Sequence, residues 1–274
     1  MKCVISGCIK NGSRFIKPVF ANIKQIMAIF EETKIIVSYD ESQDNTMEEL
    51  LKQQQELSNM IILTNPNPQT RIRTLNIAIA RNRILDYIQE NYQHYDYFIM
   101  MDLDNVCSPK INVEVLKQNL LRTDWDGLSF NNDSYYDTWA LSIDFLIYSC
   151  WHWTTKNYTS VEVEEKMREY VINKINNTKI TDLVECMSAF NGFAIYKINK
   201  FINCRYKCVI DVSYFNIDLL KTASQYLNAM PLKIAKHYNN FDCEHRLFHF
   251  DAIKNNNAKI RISPMKLFDK ILWS

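Results

Sequence analysis

The sequence predicts an α/β fold, a mostly parallel central sheet flanked by helices. Three observations predict it. Over the first hundred residues, short apolar runs alternate with stretches of helical periodicity, the pattern of strands linked by helical crossovers. The composition, 47% hydrophobic and 12% aromatic over 274 residues, allows one substantial core. Polar or acidic residues then follow three of the runs, namely Ser6-Gly7, Asp40 and the Asp102/Asp104 pair. In such sheets ligands bind beyond the carboxyl ends of the strands.

Taken in order, residues 3–9 form the first strand. An amphipathic helix follows from Phe15 to Phe30, with Ile16, Val19, Phe20, Ile23, Ile26, Met27 and Phe30 at helical spacing. Residues 34–39 are the second strand, which runs into the polar loop DESQDNT. A helix from about 47 to 55 leads to a third strand at 60–63. Residues 70 to about 91 are a long helix with Leu75, Ile79 and Leu85 inward, and YFIMMDLDN is the fourth strand. Beyond it, 126–130 is a short strand, YYDTWALSID an extended aromatic segment and WHWTTKNYTS a loop. Residues 161 to about 176 make a charged helix, AFNGFAIYKI and KCVIDV two strands, NIDLLKTASQYL a helix and AKIRIS a last strand. No repeat or linker interrupts the chain, which reads as a single domain over 1–274.

Composition excludes several functions. The net charge of +1 gives no bulk attraction for nucleic acid or anionic membrane. Only four glycines occur, and neither GxGxxG nor GxxxxGK[ST] can be written from them. The eight cysteines are scattered and read as buried free thiols in a reducing compartment. Cys204 and Cys208, spaced CRYKC, make a poor zinc knuckle with Cys243. No signal peptide or transmembrane segment is apparent, so a cytoplasmic location is expected.

Asp102-Leu103-Asp104 is the strongest chemical signal. In an extended segment alternate residues share a side, so both carboxylates point one way while Leu103 faces the core. Carboxylates so placed repel unless a cation lies between them. A hard Mg²⁺ or Mn²⁺ ion, with positions open to phosphate oxygens, is the natural partner. A solvated turn is the plainer reading of any Asp-x-Asp, but this pair closes the buried run FIMMD. Asp40 stands where a carboxylate can accept from a base or ribose; the alternative is a polar loop that caps the next helix. Arg81, after the apolar IAIA, is placed to project toward the sheet and offset phosphate charge, whereas most of Arg71, Arg73 and Arg83 read as solvated surface. In CEHRLFHF, His245 and His249 share a face if the segment is helical and would supply a third ligand to the ion. A partly buried helix capped by Asp242 is the alternative. Among the aromatics, Trp139 reads as core, while Trp151 and Trp153 suit a sugar-stacking surface.

With these segments placed, the chain resembles a GT-A glycosyltransferase. The resemblance rests on SGCIKNGSRF, TLNIAIARNRIL, FIMMDLDNV, YYDTWALS, FNGFAIYK and CEHRLFH in that order. The last three are similar to cryptococcal-type mannosyltransferases and to related glycosyltransferases of large DNA viruses; a viral member would lie in the host cytoplasm. The resemblance implies a GT-A fold with a nucleotide-sugar-binding half at 1–106 and an acceptor-binding half at 107–274. It implies a UDP- or GDP-sugar donor, a glycan or glycoprotein acceptor, and Mn²⁺ or Mg²⁺ on Asp102 and Asp104. It also implies base recognition near Ser6 and Asp40, Arg81 near the donor, a Gly192-bearing strand along the acceptor cleft and a C-terminal His at the metal. The loop YDESQDNT departs from the SxDGSxD of many relatives. An inverting enzyme needs a carboxylate to deprotonate the acceptor hydroxyl, and Asp133, Asp137, Asp242 and Glu244 are the candidates. A sugar-1-phosphate nucleotidyltransferase would want a glycine-rich basic loop after the first strand, which SGCIKNGSR does not supply. A non-catalytic carbohydrate-binding protein would be favoured by loss of the aspartate pair, which is present.

Overall fold

The computed structural model describes residues 1–67, 69–132, 135–154, 160–210, 212–214, 216–231 and 241–270. Its amino-terminal part alternates strand and helix: β1 (Lys2–Ile9), α1 (Ser13–Met27), β2 (Glu32–Tyr39), α2 (Thr46–Glu56), β3 (Met60–Thr64), α3 (Arg73–Asn91) and β4 (Tyr97–Asp102). These four strands are parallel, in the order β3-β2-β1-β4. Next come α4 (Val113–Leu120), β5 (Gly127–Asn131), β6 (Trp153–Thr154), α5 (Ser160–Asn176), β7 (Val184–Cys186) and β8 (Phe193–Lys197). The chain closes with α6 (Ile198–Phe201), α7 (Ile217–Leu227), β9 (Met230–Pro231), α8 (Glu244–Asn256) and β10 (Ile260–Lys266). The sheet continues from β4 as β8-β5-β10-β7. In it β8 runs antiparallel to both neighbours and β7 antiparallel to β10, while β5 and β10 are parallel. Strands β6 and β9 pair apart from this sheet.

Burial on both faces explains why the central strands are near-continuous apolar runs. Along β1, Cys3 and Ile5 meet the buried face of α1 (Ile16, Val19, Phe20, Ile23, Ile26), with Leu50 of α2 and Leu116 of α4. Val4 points the other way, into a core shared with Ile84, Leu85 and Ile88 of α3 and Phe248 of α8. The face of α1 repeats at the spacing that a helix laid on a sheet requires.

Three expectations are corrected. Helix α3 starts at Arg73 rather than Thr70, because the Asn76 amide bonds the backbone N–H and carbonyl of Thr70 and ties them into a turn. Its inward face carries Ala78, Arg81, Ile84, Leu85 and Ile88, and Ile79 is exposed. KCVIDV forms no strand among its described residues, only the isolated bridge Val209–Phe241. Helix α4 has no counterpart among the sequence expectations. Among the described residues no helix is long and apolar enough to cross a membrane.

Candidate active site

The parallel strands deliver their carboxyl ends to one edge. There β1 and β4 are in register, Cys8 opposite Asp102. Gly7 makes the junction possible: a Cβ at this position would lie 2.4 Å from the Met101 carbonyl oxygen and 2.7 Å from Leu103 Cγ. Leu103 therefore folds against β1 and is buried, and Asp102 and Asp104 both line a cavity of about 470 Å³. The Asp102 N–H donates to the Gly192 carbonyl (2.8 Å), which anchors the end of β4 to the turn before β8.

Asp102 is held from two sides. Its Oδ1 accepts from Arg81 Nη2 (3.2 Å) and its Oδ2 from the Tyr136 hydroxyl (2.9 Å). Asp104 Oδ1 accepts from the Val106 N–H (2.9 Å), a local turn that fixes its direction. Burial, and then the charge of Asp102, push the Asp104 carboxyl up to about 7. Burial pushes Asp102 upward as well, against the pull of Arg81. Like charge in a half-enclosed site disfavours ionisation of both groups together.

Arg81 is the buried cation of the site, 5% exposed. Its Nη1 contacts Glu244 Oε1 and His245 Nε2, and its guanidinium lies 4.6 Å from the Phe190 ring centre. Burial opposes its charge, but Glu244 and Asp102 outweigh that and hold its pKa above the ordinary value. Its neighbour Asn82 exchanges hydrogen bonds with the Tyr206 backbone (2.8 and 2.9 Å), tying α3 to the segment after α6.

A second cavity of about 380 Å³ adjoins the first and shares Cys8, Ile9, Lys10, Arg73 and Ile77 with it. Asp40, Gln69, Arg71, Asn76 and Ala80 complete its wall. Asp40 accepts from Asn65 Nδ2 (2.7 Å) and Gln69 Nε2 (2.8 Å), so each oxygen already holds an amide. Lys10, Arg71 and Arg73 make this wall locally cationic in a protein of net charge +1, which suits an anion.

The structure thus brings together Asp102, Asp104, Arg81, Asp137, Glu244 and His245 around one cavity, with Asp40 beside it. Ser6 is elsewhere: β1 runs on to Ile9, and Ser6, three residues back, buries its hydroxyl on the Ile99 carbonyl (2.6 Å). His249 also lies off the cavity. Ser188 Oγ donates to the Ala140 carbonyl (2.5 Å), so His249 Nδ1 donates to Ser188 Oγ (2.9 Å) and Nε2 accepts from the Tyr196 hydroxyl (3.0 Å). No lone pair of that ring is left for a metal. Of the two tail histidines offered as a third ligand, His245 lines the cavity and His249 faces the core. Asp242 is 1% exposed and bound to Arg246 Nε (2.7 Å). Neither it nor His249 lines either cavity.

The aromatic expectations reverse. Trp139 is 37% exposed at the cavity wall, near Arg73 (5.9 Å from ring centre to guanidinium). Trp153 is buried against Tyr148. Asp133 and the side chain of Trp151 lie outside the described residues. Tyr136 and Arg73 were not singled out for these places by the sequence. The only signal was positional: Tyr136 lies within the aromatic segment YYDTWALSID, and Arg73 opens the helix that carries Arg81. Among the described residues no three His, Cys, Asp or Glu side chains converge as a complete metal-binding group.

Comparison with known proteins gives the site its context. No curated protein matches the chain significantly. Among solved structures, S. aureus TarS 1–349 in complex with UDP is 15% identical, with a TM-score of 0.49 over 98% of this chain and 59% of that one. A mannosyltransferase from Pyrobaculum calidifontis, in complex with GDP-Man and Mn²⁺, is 10% identical, with a TM-score of 0.39 over 84% and 54%. Glucosyl-3-phosphoglycerate synthase from Mycobacterium tuberculosis, with Mn²⁺, UDP and phosphoglyceric acid, is 12% identical, with a TM-score of 0.41 over 73% and 57%. The chain thus spans less than two thirds of the length of each. The sequence pattern of glycosyl transferase family 2 matches residues 8–198, well over half of the chain, and takes in Asp40, Arg81, Asp102, Asp104 and Asp137. The chain belongs to glycosyl transferase family 2, with the α/β architecture of the GT-A fold.

Proposed function

We propose that the protein transfers a hexosyl group from a UDP- or GDP-sugar to a hydroxyl of a glycan or glycoprotein, assisted by Mn²⁺ or Mg²⁺. The observation that carries this reading is the convergence of Asp102, Asp104 and Arg81 beside a second, cationic cavity at the carboxyl ends of β1 and β4. Lys10, Arg71 and Arg73 suit a diphosphate, and the Asp40–Gln69–Asn65 network suits the base and ribose through its amides.

Asp102 and Asp104 fit a divalent ion. They offer oxygen donors only, and one or two carboxylates completed by phosphate oxygens and water suffice for Mg²⁺. Burial and then the charge of Asp102 raise the Asp104 pKa, and a cation between the two carboxylates would relieve the second of these. His245 Nε2 faces Arg81, so that nitrogen joins the ion only if Arg81 yields. When bound, the ion would stabilise charge on the leaving diphosphate. Arg81 adds a fixed positive charge whose own counter-ions hold it in place.

Of the candidate bases, Asp137 is best disposed for an inverting reaction. It lines the cavity, and its Oδ1 accepts from the Ala140 N–H (3.1 Å), whereas Glu244 is committed to Arg81 and Asp242 to Arg246. Trp139 offers an exposed indole to the apolar face of a pyranose. The likeness to cryptococcal-type mannosyltransferases makes GDP-mannose the first donor to try.

A panel of UDP- and GDP-sugars with Mn²⁺, read as nucleoside diphosphate release, tests the proposal. Turnover is expected with one donor, and Asp102→Asn, Asp104→Asn or EDTA should abolish it. Activity indifferent to all three overturns the metal assignment, and pyrophosphate from a nucleoside triphosphate plus sugar-1-phosphate overturns the transferase reading.

A further inference from the structure

The first turn of α8 reaches the cavity through Glu244 and His245, but the most densely bonded side chain of the segment is Arg246, which lines neither of the two cavities described. We propose that Arg246 is a positioning residue that clamps the segment 137–147, the wall carrying Asp137 and Trp139, against α8. The catalytic consequence rests on the transferase reading above; the clamp itself does not.

Arg246 is 0% exposed. Its Nε donates to Asp242 Oδ2 (2.7 Å), the two N–H groups of Nη1 are shared among the carbonyls of Leu141 (2.7 Å) and Ile147 (3.1 Å) and Ser142 Oγ, and Nη2 donates to the Trp139 carbonyl (2.6 Å). One planar fork thus gathers four acceptors from a nine-residue stretch, a geometry that five rigid N–H groups allow and an ammonium does not. That stretch has little regular structure of its own. It makes only the isolated bridges Ser142–Ser188 and Ile143–Leu146, and Asp144 has φ 49°. Its buried carbonyls need partners from elsewhere, and Arg246 supplies them.

The counter-charge is built in, and a second latch lies one turn on. Asp242 accepts from the Cys243 N–H (2.7 Å) and lies 3.6 Å from His152 Nε2, so the buried cation is paired. His249 holds Ser188 Oγ, which holds the Ala140 carbonyl. Helix α8 therefore grips the same wall directly at 139–147 and indirectly at 140. Asp102, Asp104 and Arg73 make no hydrogen bond to Arg246 and meet the clamped wall only at its edge, through the Tyr136 hydroxyl on Asp102 and the Trp139 ring beside Arg73, so the clamp bears first on acceptor-side geometry.

The test compares wild type, Arg246→Lys and Ser188→Ala in the full chain. It reads hydrogen–deuterium exchange, calorimetric binding of UDP and GDP with Mn²⁺, and diphosphate release. In Arg246→Lys, exchange across 137–148 is expected to rise about tenfold while β1 and β4 stay protected. Affinity for UDP or GDP should hold within about twofold, while turnover falls about a hundredfold because the wall is misplaced. Ser188→Ala, which leaves the ion pair intact, should loosen the same segment to a smaller extent, and it decides the matter if the lysine variant does not fold. Unchanged exchange at 137–148 in a folded Arg246→Lys, or in Ser188→Ala where the lysine variant fails to fold, overturns the clamp. So does a loss of nucleotide affinity in proportion to turnover, which is the mark of general damage. If wild type turns over no donor, the transferase reading fails while the exchange arm still decides the clamp.

Discussion

Replacing Gly192 with alanine places a methyl group where the fold has no room. Gly192 has φ +86°, and a Cβ there would lie 2.4 Å from Val106 Cγ1 and 3.0 Å from the Tyr136 hydroxyl. The Gly192 carbonyl accepts from the Asp102 N–H (2.8 Å) and Cys107 Sγ (3.2 Å). The Tyr136 hydroxyl is itself bonded to Asp102 Oδ2. Movement at this point therefore reaches the aspartate from both its backbone and its side chain. The left-handed backbone costs an L-residue about 1–2 kcal/mol, and the overpacking against Val106 costs roughly 1–3 kcal/mol more. The sum, about 2–5 kcal/mol, corresponds to a fall in Tm on the order of 10 °C for a chain of this size. Calorimetry of wild type, Gly192→Ala, Val106→Ala and the double variant separates the two parts. Val106→Ala opens space for the methyl, so the double variant should recover about 1–3 kcal/mol relative to additivity, while the dihedral cost persists. A Gly192→Ala protein that melts within about 2 °C of wild type, or additivity in the double variant, would refute the reasoning.

Asp137 should give the protein a pH signature. Burial, and then the charge of Asp102, raise its carboxyl to about 7. The folded form thus keeps a proton that the unfolded chain loses near its ordinary pKa of about 3.9. Stability from this group is full below about pH 4, falls as pH rises toward about 7, and is level above that. Asp137→Asn should therefore be more stable than wild type above pH 7, and the gap should close in acid; urea melts showing a pH-independent gap would contradict this. All eight cysteines are free, seven are buried, and burial pushes Cys8, at the cavity wall, up to about 12. A disulfide reagent at pH 8 should then titrate few thiols until denaturant releases them, and rapid reaction of several in the native protein would count against the packing described.

Much of the fold was legible because it is local. The alternation of periodicities located β1 to β4 and the helices between them. The break from FIMMD into two carboxylates marked the edge where Asp102 and Asp104 emerge. Arg81 was legible as the arginine on the inward face of α3. Adjacent residues in the tail could not be told apart in this way. Asp242 and Glu244 are chemically alike in sequence, yet one is buried on Arg246 and the other meets Arg81, 163 residues earlier in the chain. His245 and His249 do share a helix, but only one of them reaches the cavity. Trp139 and Trp153 exchanged their expected places because the wall at 139–147 has little periodicity to read.

By itself, then, the sequence determined the parallel half-sheet, the aspartate pair at its edge and the family resemblance. The first two follow from side-chain spacing and the order of elements along the chain, and the third from the order of six motifs. Only the tertiary structure decided which of the tail's charged groups face the cavity, where Ser6 lies, and that Arg246 holds the opposite wall. Those outcomes depend on contacts between elements far apart in the chain, and one-dimensional spacing carries no information about which faces will meet.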